Sequence, residues 1–286
     1  MSLVITAADV KKLRDITLAG MSDCKKALEA TNGNIEEAID FLRKQGQKFA
    51  VKRADREAKE GVCMASVSHN RNNGIIFKLT SETDFVAKNE EFVNLANTIA
   101  EIAIKNLPNT TEELLAIEAE PGISVNELIL GKLGTFGEKV EVAEYSIIRT
   151  DAGQGQVIPY IHMGNRAAVI VALNQEGTDK MEAGKNVAMQ IAAMKPIAVS
   201  SDDVDASVIE RERGIIIETM KADPKMAGKP DDMIAKIAEG KLNAFFKEST
   251  LLSQDYVKDG SKNVAAYLES VSKGLTVTAF RHIKLG

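Results

Sequence analysis

Thiols, histidines and long apolar runs are scarce in this sequence, and each shortage removes a class of function. Cys24 and Cys63 are the two cysteines among 286 residues. They lie too far apart for a CxxC motif and are too few for a disulfide framework, so a reducing cytoplasm is the expected setting. The three histidines, His69, His162 and His282, show no metal-ligand spacing, and neither a metal nor a cofactor is expected. No apolar run approaches the roughly 20 residues of a membrane span, and the first residues lack the charged and apolar regions of a secretory signal. A basic excess is missing too. Lys and Arg number 36 against 41 Asp and Glu, a formal net charge of -5, whereas a chain that neutralises many phosphates carries surplus cations. Membrane association and direct nucleic-acid binding are therefore both unexpected.

What is present is an ordinary globular composition, 44% hydrophobic and 27% charged. At roughly 150 residues per domain the length suggests about two folded units. Residues 1–50 read as a helical module of three short helices, punctuated by Gly20, by Asn32-Gly33-Asn34 and by Gly46. Met21, Cys24, Ala27 and Leu28 form one apolar stripe, and Ile35, Ala38, Ile39 and Leu42 another. Asn34 and Glu37 have the spacing of a capping box. From Lys44 to Lys59 charge dominates, which predicts a solvated linker or exposed helix, and residues 51–60 are assigned as the linker.

Residues 61–150 form the next expected subdomain. Val62–Ser68 and Ile75–Leu79 read as a hairpin turning at Asn73-Gly74, followed by a loop to Lys88 and a helix capped by Asn89. The same order recurs with strands at 156–161 and 167–173 and a helix over 181–194, as in a degenerate internal duplication. Val140–Ile148 and Leu275–Ile283 each have the β character of a third strand. Residues 151–202 and 248–286 make up this second subdomain. It is interrupted over 203–247 by an antiparallel helical hairpin, jointed near Ala222-Asp223-Pro224 and Gly228-Lys229-Pro230. The fold class expected is α+β.

Enzyme motifs are missing. Gly153-Gln154-Gly155 lacks the third glycine of a dinucleotide fingerprint and precedes a strand instead of following one. Six residues separate Gly177 from Gly184, not the four of a P-loop, and Asn186 stands where a Ser or Thr would hold magnesium. The segment that stands out is Thr83-Asp84-Phe85-Val86-Ala87-Lys88. Either Phe85 folds inward as a lid on the core while Asp84 fixes the turn, or Phe85 projects as a rigid anchor into a partner's pocket. His162, at the tip of the second hairpin, is either incidental or a contact residue.

These segments resemble the elongation factor Ts family, the guanine-nucleotide exchange factors of bacterial translation. The likeness runs through Lys12-Leu13-Arg14, Ala19-Gly20-Met21, Asp23-Cys24-Lys25-Lys26-Ala27-Leu28, Asn32-Gly33, Thr83 to Lys88, Tyr160-Ile161-His162, Lys195-Pro196, Gly228-Lys229-Pro230, Glu239-Gly240-Lys241-Leu242 and Val257-Lys258-Asp259. It departs at Leu18, where glycine is usual, and at Ser22, where Met is usual. The resemblance implies a ubiquitin-associated-like N-terminal module, then two related α+β subdomains with the helical hairpin inserted in the second. It also implies that Arg14 and Met21 meet the GTPase domain of elongation factor Tu. Thr83, Asp84, Phe85 and Val86 would form the motif that intrudes between two of that domain's helices, with His162 as a second intruding residue. The activity implied is not enzymatic: promotion of GDP release by weakening phosphate and magnesium binding, with displacement of the factor when GTP binds. Assemblies with elongation factor Tu beyond one-to-one are compatible with this. The alternative is an adaptor that binds a partner through the N-terminal module without affecting nucleotide release.

Overall fold

The computed structural model describes residues 5–17, 19–223 and 230–286. Leu18, Pro224 and Gly228-Lys229, singled out above, lie outside the described residues. Three helices come first: α1 (Ala7–Thr17), α2 (Met21–Ala30) and α3 (Ile35–Arg53). They close around Leu13, Cys24, Ala27, Leu28, Ala38 and Leu42. Asn34 caps α3 as its sequence position predicts. Its side-chain oxygen accepts from the N–H of Glu36 at 3.1 Å, and its amide donates to Glu37 Oε1 at 2.8 Å. Met21 leaves the expected stripe. It is the first residue of α2, lies outside this small cluster and is 56% exposed. The charged stretch after Lys44 is helix as far as Arg53, with Phe49 and Ala50 packed on the neighbouring core.

Next come β1 (Glu60–Val67), β2 (Asn73–Ser81), α4 (Asp84–Ala87), α5 (Glu90–Asn106), α6 (Thr111–Ala116), β3 (Glu118–Glu120), β4 (Ile123–Ser124), α7 (Val125–Phe136) and β5 (Glu141–Arg149). The first sheet has the order β1-β2-β5, all antiparallel, so the later segment does supply the third strand. Asn73-Gly74 is not the turn, because Gly74 already pairs with Val67 inside the ladder. The chain reverses over 68–72 instead. Ser68 and Asn70 close that loop by accepting from the N–H groups of Asn73 at 3.1 Å and Asn72 at 3.2 Å. Phe77, Leu79, Phe92, Ile99, Leu128 and Leu133 form the core between sheet and helices, and Phe92 meets Phe136 edge-on at 5.6 Å. Along this core α3 lies on α7. Gly46 makes that approach possible, since a Cβ there would collide with the backbone carbonyl of Leu130.

The remaining elements are β6 (Gln156–Ile161), a 3-10 turn (Met163–Asn165), β7 (Ala167–Leu173), α8 (Thr178–Met194), α9 (Ala206–Ala222), α10 (Asp231–Ser249), β8 (Asp255–Tyr256), β9 (Asp259–Asn263), α11 (Val264–Val271) and β10 (Val277–Lys284). The second three-stranded sheet has the order β10-β7-β6, again with the hairpin's second strand in the middle. Gly61 (φ 143°) and Gly155 (φ 152°) occupy matching places, where a Cβ would meet the carbonyls of Leu79 and Leu173. Helices α5 and α8 each span 17 residues and end on a left-handed residue, Leu107 (φ 54°) and Lys195 (φ 51°). The two units thus share special backbone at matching positions, in line with the repeated element order read from the sequence. Helices α9 and α10 pack on each other around Ile216, Met220, Ile234, Ala238 and Leu242.

By backbone proximity the chain divides into two units. One comprises Met1–Arg149, Pro159–Ile170 and Ile283–Gly286, and the other Thr150–Ile158 and Val171–His282. The first unit therefore holds both α4 and the turn that carries His162.

Candidate functional site

Phe85 does not fold inward. It sits on the single turn of α4 with 85% of its surface exposed, while Val86 packs on the core and Ala87 is buried. The lid reading fails because a short helix can present only one face to the core, and Val86 and Ala87 occupy it. The turn is held from several sides. Thr83 caps it, its hydroxyl accepting weakly from the Val86 N–H at 3.4 Å. The Thr83 backbone N–H donates to Glu138 Oε2 at 2.9 Å and its hydroxyl to Oε1 at 2.6 Å. Ser81 Oγ donates to the Thr83 carbonyl at 3.0 Å.

Just before the turn, Glu82 collects three donors: Lys139 N–H at 2.7 Å, Arg56 at 2.9 Å and Arg53 at 3.0 Å. Desolvation works to raise its pKa, but these hydrogen bonds outweigh it and hold the carboxyl below its usual range. Asp84 pairs with Lys88 at 2.6 Å, and that hydrogen bond and charge keep it ionised to lower pH than usual. Phe85 thus projects from a stiff, charged collar.

The helical module reaches the same collar through α7. An added Cβ at Gly20 would stand 2.6 Å from Thr135 Oγ, so the backbone just before Met21 meets the end of α7 directly. Three residues further along, Glu138 holds Thr83. Met21 is exposed at the start of α2, and Arg14 is exposed in the last turn of α1.

His162 is exposed ahead of the 3-10 turn, its Nδ1 2.9 Å from the Tyr160 hydroxyl. The same projection touches β1. Arg166 pairs with Glu60 at 2.6 Å, and its carbonyl accepts from the Cys63 thiol at 3.5 Å. Since α4 also lies against β1, the structure gathers the Phe85 and His162 projections on one strand.

Sequence reasoning missed Glu138, the Glu82 cluster and α7 itself. Ser124-Val125-Asn126-Glu127 carried a usable signal, being a capping box at the start of α7. Glu82 and Glu138 carried none, because their partners are distant in sequence. Among the described residues no group of three or more His, Cys, Asp and Glu side chains is arranged to hold a metal ion. No described helix is long and apolar enough to cross a membrane.

An α+β core behind a ubiquitin-associated-type helical module defines the class, and the family profile described as UBA/TS-N domain matches residues 20–42. The profile described as Elongation factor TS matches residues 82–286. Elongation factor Ts of Cytophaga hutchinsonii is 47% identical over 282 residues, covering 98% of this chain and 99% of that protein. That of Flavobacterium psychrophilum is 44% identical, covering 99% of each, and that of Streptomyces coelicolor 41% identical, covering 98% of each. The chain belongs to the elongation factor Ts family and is a translation elongation factor.

Proposed function

We propose that the protein is a guanine-nucleotide exchange factor for the GTPase elongation factor Tu, working in the cytoplasm without enzymatic chemistry of its own. The observation that carries this reading is the 85% exposure of Phe85 on a turn braced by Glu138 and Ser81. An aromatic held out on a braced turn has the form of a docking anchor, since its two-torsion side chain loses little freedom when a partner receives it. Phe85 with Asp84 enters between helices of the GTPase domain. Thr83 and Val86 hold the turn, Arg14 and Met21 grip a helix of that domain, and His162 makes the second intrusion.

A GTPase holds its nucleotide through P-loop amides, a lysine and magnesium, so displacing those elements weakens phosphate and metal together. No bond is made or broken. Exchange follows from differential affinity, through a ternary complex in which factor and nucleotide each loosen the other until GTP expels the factor.

The proposed division of labour follows the sequence reading. A module over residues 1–50, whose last helix continues into the linker at 51–60, adds grip. The subdomains 61–150 and 151–202 with 248–286 carry the intruding residues, and the hairpin 203–247 stands apart. The test is release of a fluorescent GDP analogue from elongation factor Tu with and without the full chain. Acceleration by substoichiometric protein is expected. A stable complex with unchanged release would instead establish the adaptor reading, in which the N-terminal module binds without exchange.

A further inference from the structure

Met163, 88% exposed, and Phe85, 85% exposed, lead the large apolar side chains of the described residues in exposure. Isolated exposed apolar residues are normal and need no explanation. These two stand on neighbouring projections that one strand holds. In the 162–166 turn the His162 N–H donates to the Ala167 carbonyl, and the Asn165 N–H to the His162 carbonyl, both at 2.9 Å. Gly164 (φ 76°) and Asn165 (φ 56°) are left-handed, which puts Met163 at the apex with its side chain in solvent. The base of the turn is fixed at one residue. The Arg166 carbonyl accepts from the Leu285 N–H at 2.9 Å and from the Cys63 thiol at 3.5 Å, and its guanidinium meets Glu60 at 2.6 Å. Glu60 is in turn the cross-strand partner of Ser81, whose hydroxyl holds the Thr83 carbonyl ahead of Phe85. Asp84 is near enough to contribute to the electrostatic field at Arg166.

We propose that Met163 is a second apolar anchor for the GTPase that receives Phe85, the two side chains entering separate apolar depressions of that partner. This rests on the exchange-factor reading. The two residues are complementary in kind: the phenyl ring is rigid, while the unbranched thioether adapts to an irregular wall. Fixing both projections on β1 before the encounter reduces the entropy lost in docking at two points. The Glu60–Arg166 pair, at the surface, adds little to stability, and its part is to position the turn.

The test uses the full chain and measures three things: GDP release from elongation factor Tu, affinity for the nucleotide-free GTPase, and the thermal midpoint. The proteins compared are the parent, Met163→Ala, Met163→Glu, Met163→Leu and Phe85→Ala. Met163→Ala is expected to weaken the complex about tenfold, as the loss of a moderate hot spot does. Met163→Glu should cost more and Met163→Leu least, all with unchanged midpoints. Parent-like binding and exchange by both Met163→Ala and Met163→Glu overturns the proposal, and so does a fall in thermal midpoint that accounts for the loss. If the parent fails to speed GDP release, the exchange-factor reading falls and this inference with it. If the parent works and Phe85→Ala is impaired while the Met163 variants match the parent, Met163 alone is excluded.

Discussion

At the scale of single residues, two phenylalanines separate folding from docking. Phe85 is 85% exposed and Phe92 fully buried, although both lie within one short stretch of chain. Phe85→Ala should leave the thermal midpoint nearly unchanged and cut stimulated GDP release by at least about tenfold, whereas Phe92→Ala should destabilise the fold by roughly 3–5 kcal/mol. Thermal unfolding run beside the exchange assay checks both, and a collapse of the Phe85→Ala midpoint would contradict its exposure.

Cys63 gives a pH prediction. Burial pushes its thiol from an ordinary 9.0 up to about 12. Between those values the unfolded chain has lost the proton and the folded chain still holds it, so stability falls as pH rises from about 9, by on the order of 1 kcal/mol per unit. Urea unfolding from pH ~8 to ~10 should show this slope, and Cys63→Ala should make it shallower. Cys24, whose thiol burial also raises, leaves a residual slope of the same sign in that variant.

At the scale of elements, the helical pair α9 and α10 has its own apolar cluster, and the segments that flank it pair in parallel. Ile197 N–H donates to the Ser249 carbonyl and Leu251 N–H to that of Ala198, both at 2.9 Å, and Leu252 N–H to that of Val199 at 3.0 Å. Because that pairing is parallel, a Gly/Ser bridge replacing residues 203–247 has to run back along it, and one of that length joins the two segments without displacing them. The shortened protein should unfold cooperatively and keep most of its exchange activity. Circular dichroism and nucleotide release measure the two separately. Loss of exchange in a variant that still folds and binds would give the hairpin a direct part in the mechanism.

At the scale of the whole molecule, an exchange factor is one side of a thermodynamic cycle. The factor by which this protein weakens GDP on elongation factor Tu must equal the factor by which GDP weakens the protein's own binding, with about 5–150-fold the usual span for coupled sites. Titrating the protein into the nucleotide-free and GDP-bound GTPase gives one side, and titrating GDP into the GTPase with and without the protein gives the other. Unequal factors would mean that the two ligands do not share a single ternary complex.

The sequence by itself determined the strands of both three-stranded sheets, most of the long helices and their order, α7 excepted. Periodicity, capping pairs such as Asn34 with Glu37, and the third strands at 140–148 and 275–283 are local signals, and local hydrogen bonding and one-sided burial write them directly into the chain. Local signals also misled where a longer-range demand overrode them. Asn73-Gly74 has the chemistry of a two-residue turn, yet pairing with Val67 draws Gly74 into the strand, and Ser68 and Asn70 close a longer loop instead. Only the tertiary structure decided which way Phe85 faces, since that depends on Val86 and Ala87 taking the inward side of α4. It alone brought Glu138 to Thr83 and Arg166 to Glu60. Such pairs, 55 and 106 residues apart in the chain, leave no periodic trace in it, because their proximity is created by the packing of elements that each form for reasons of their own.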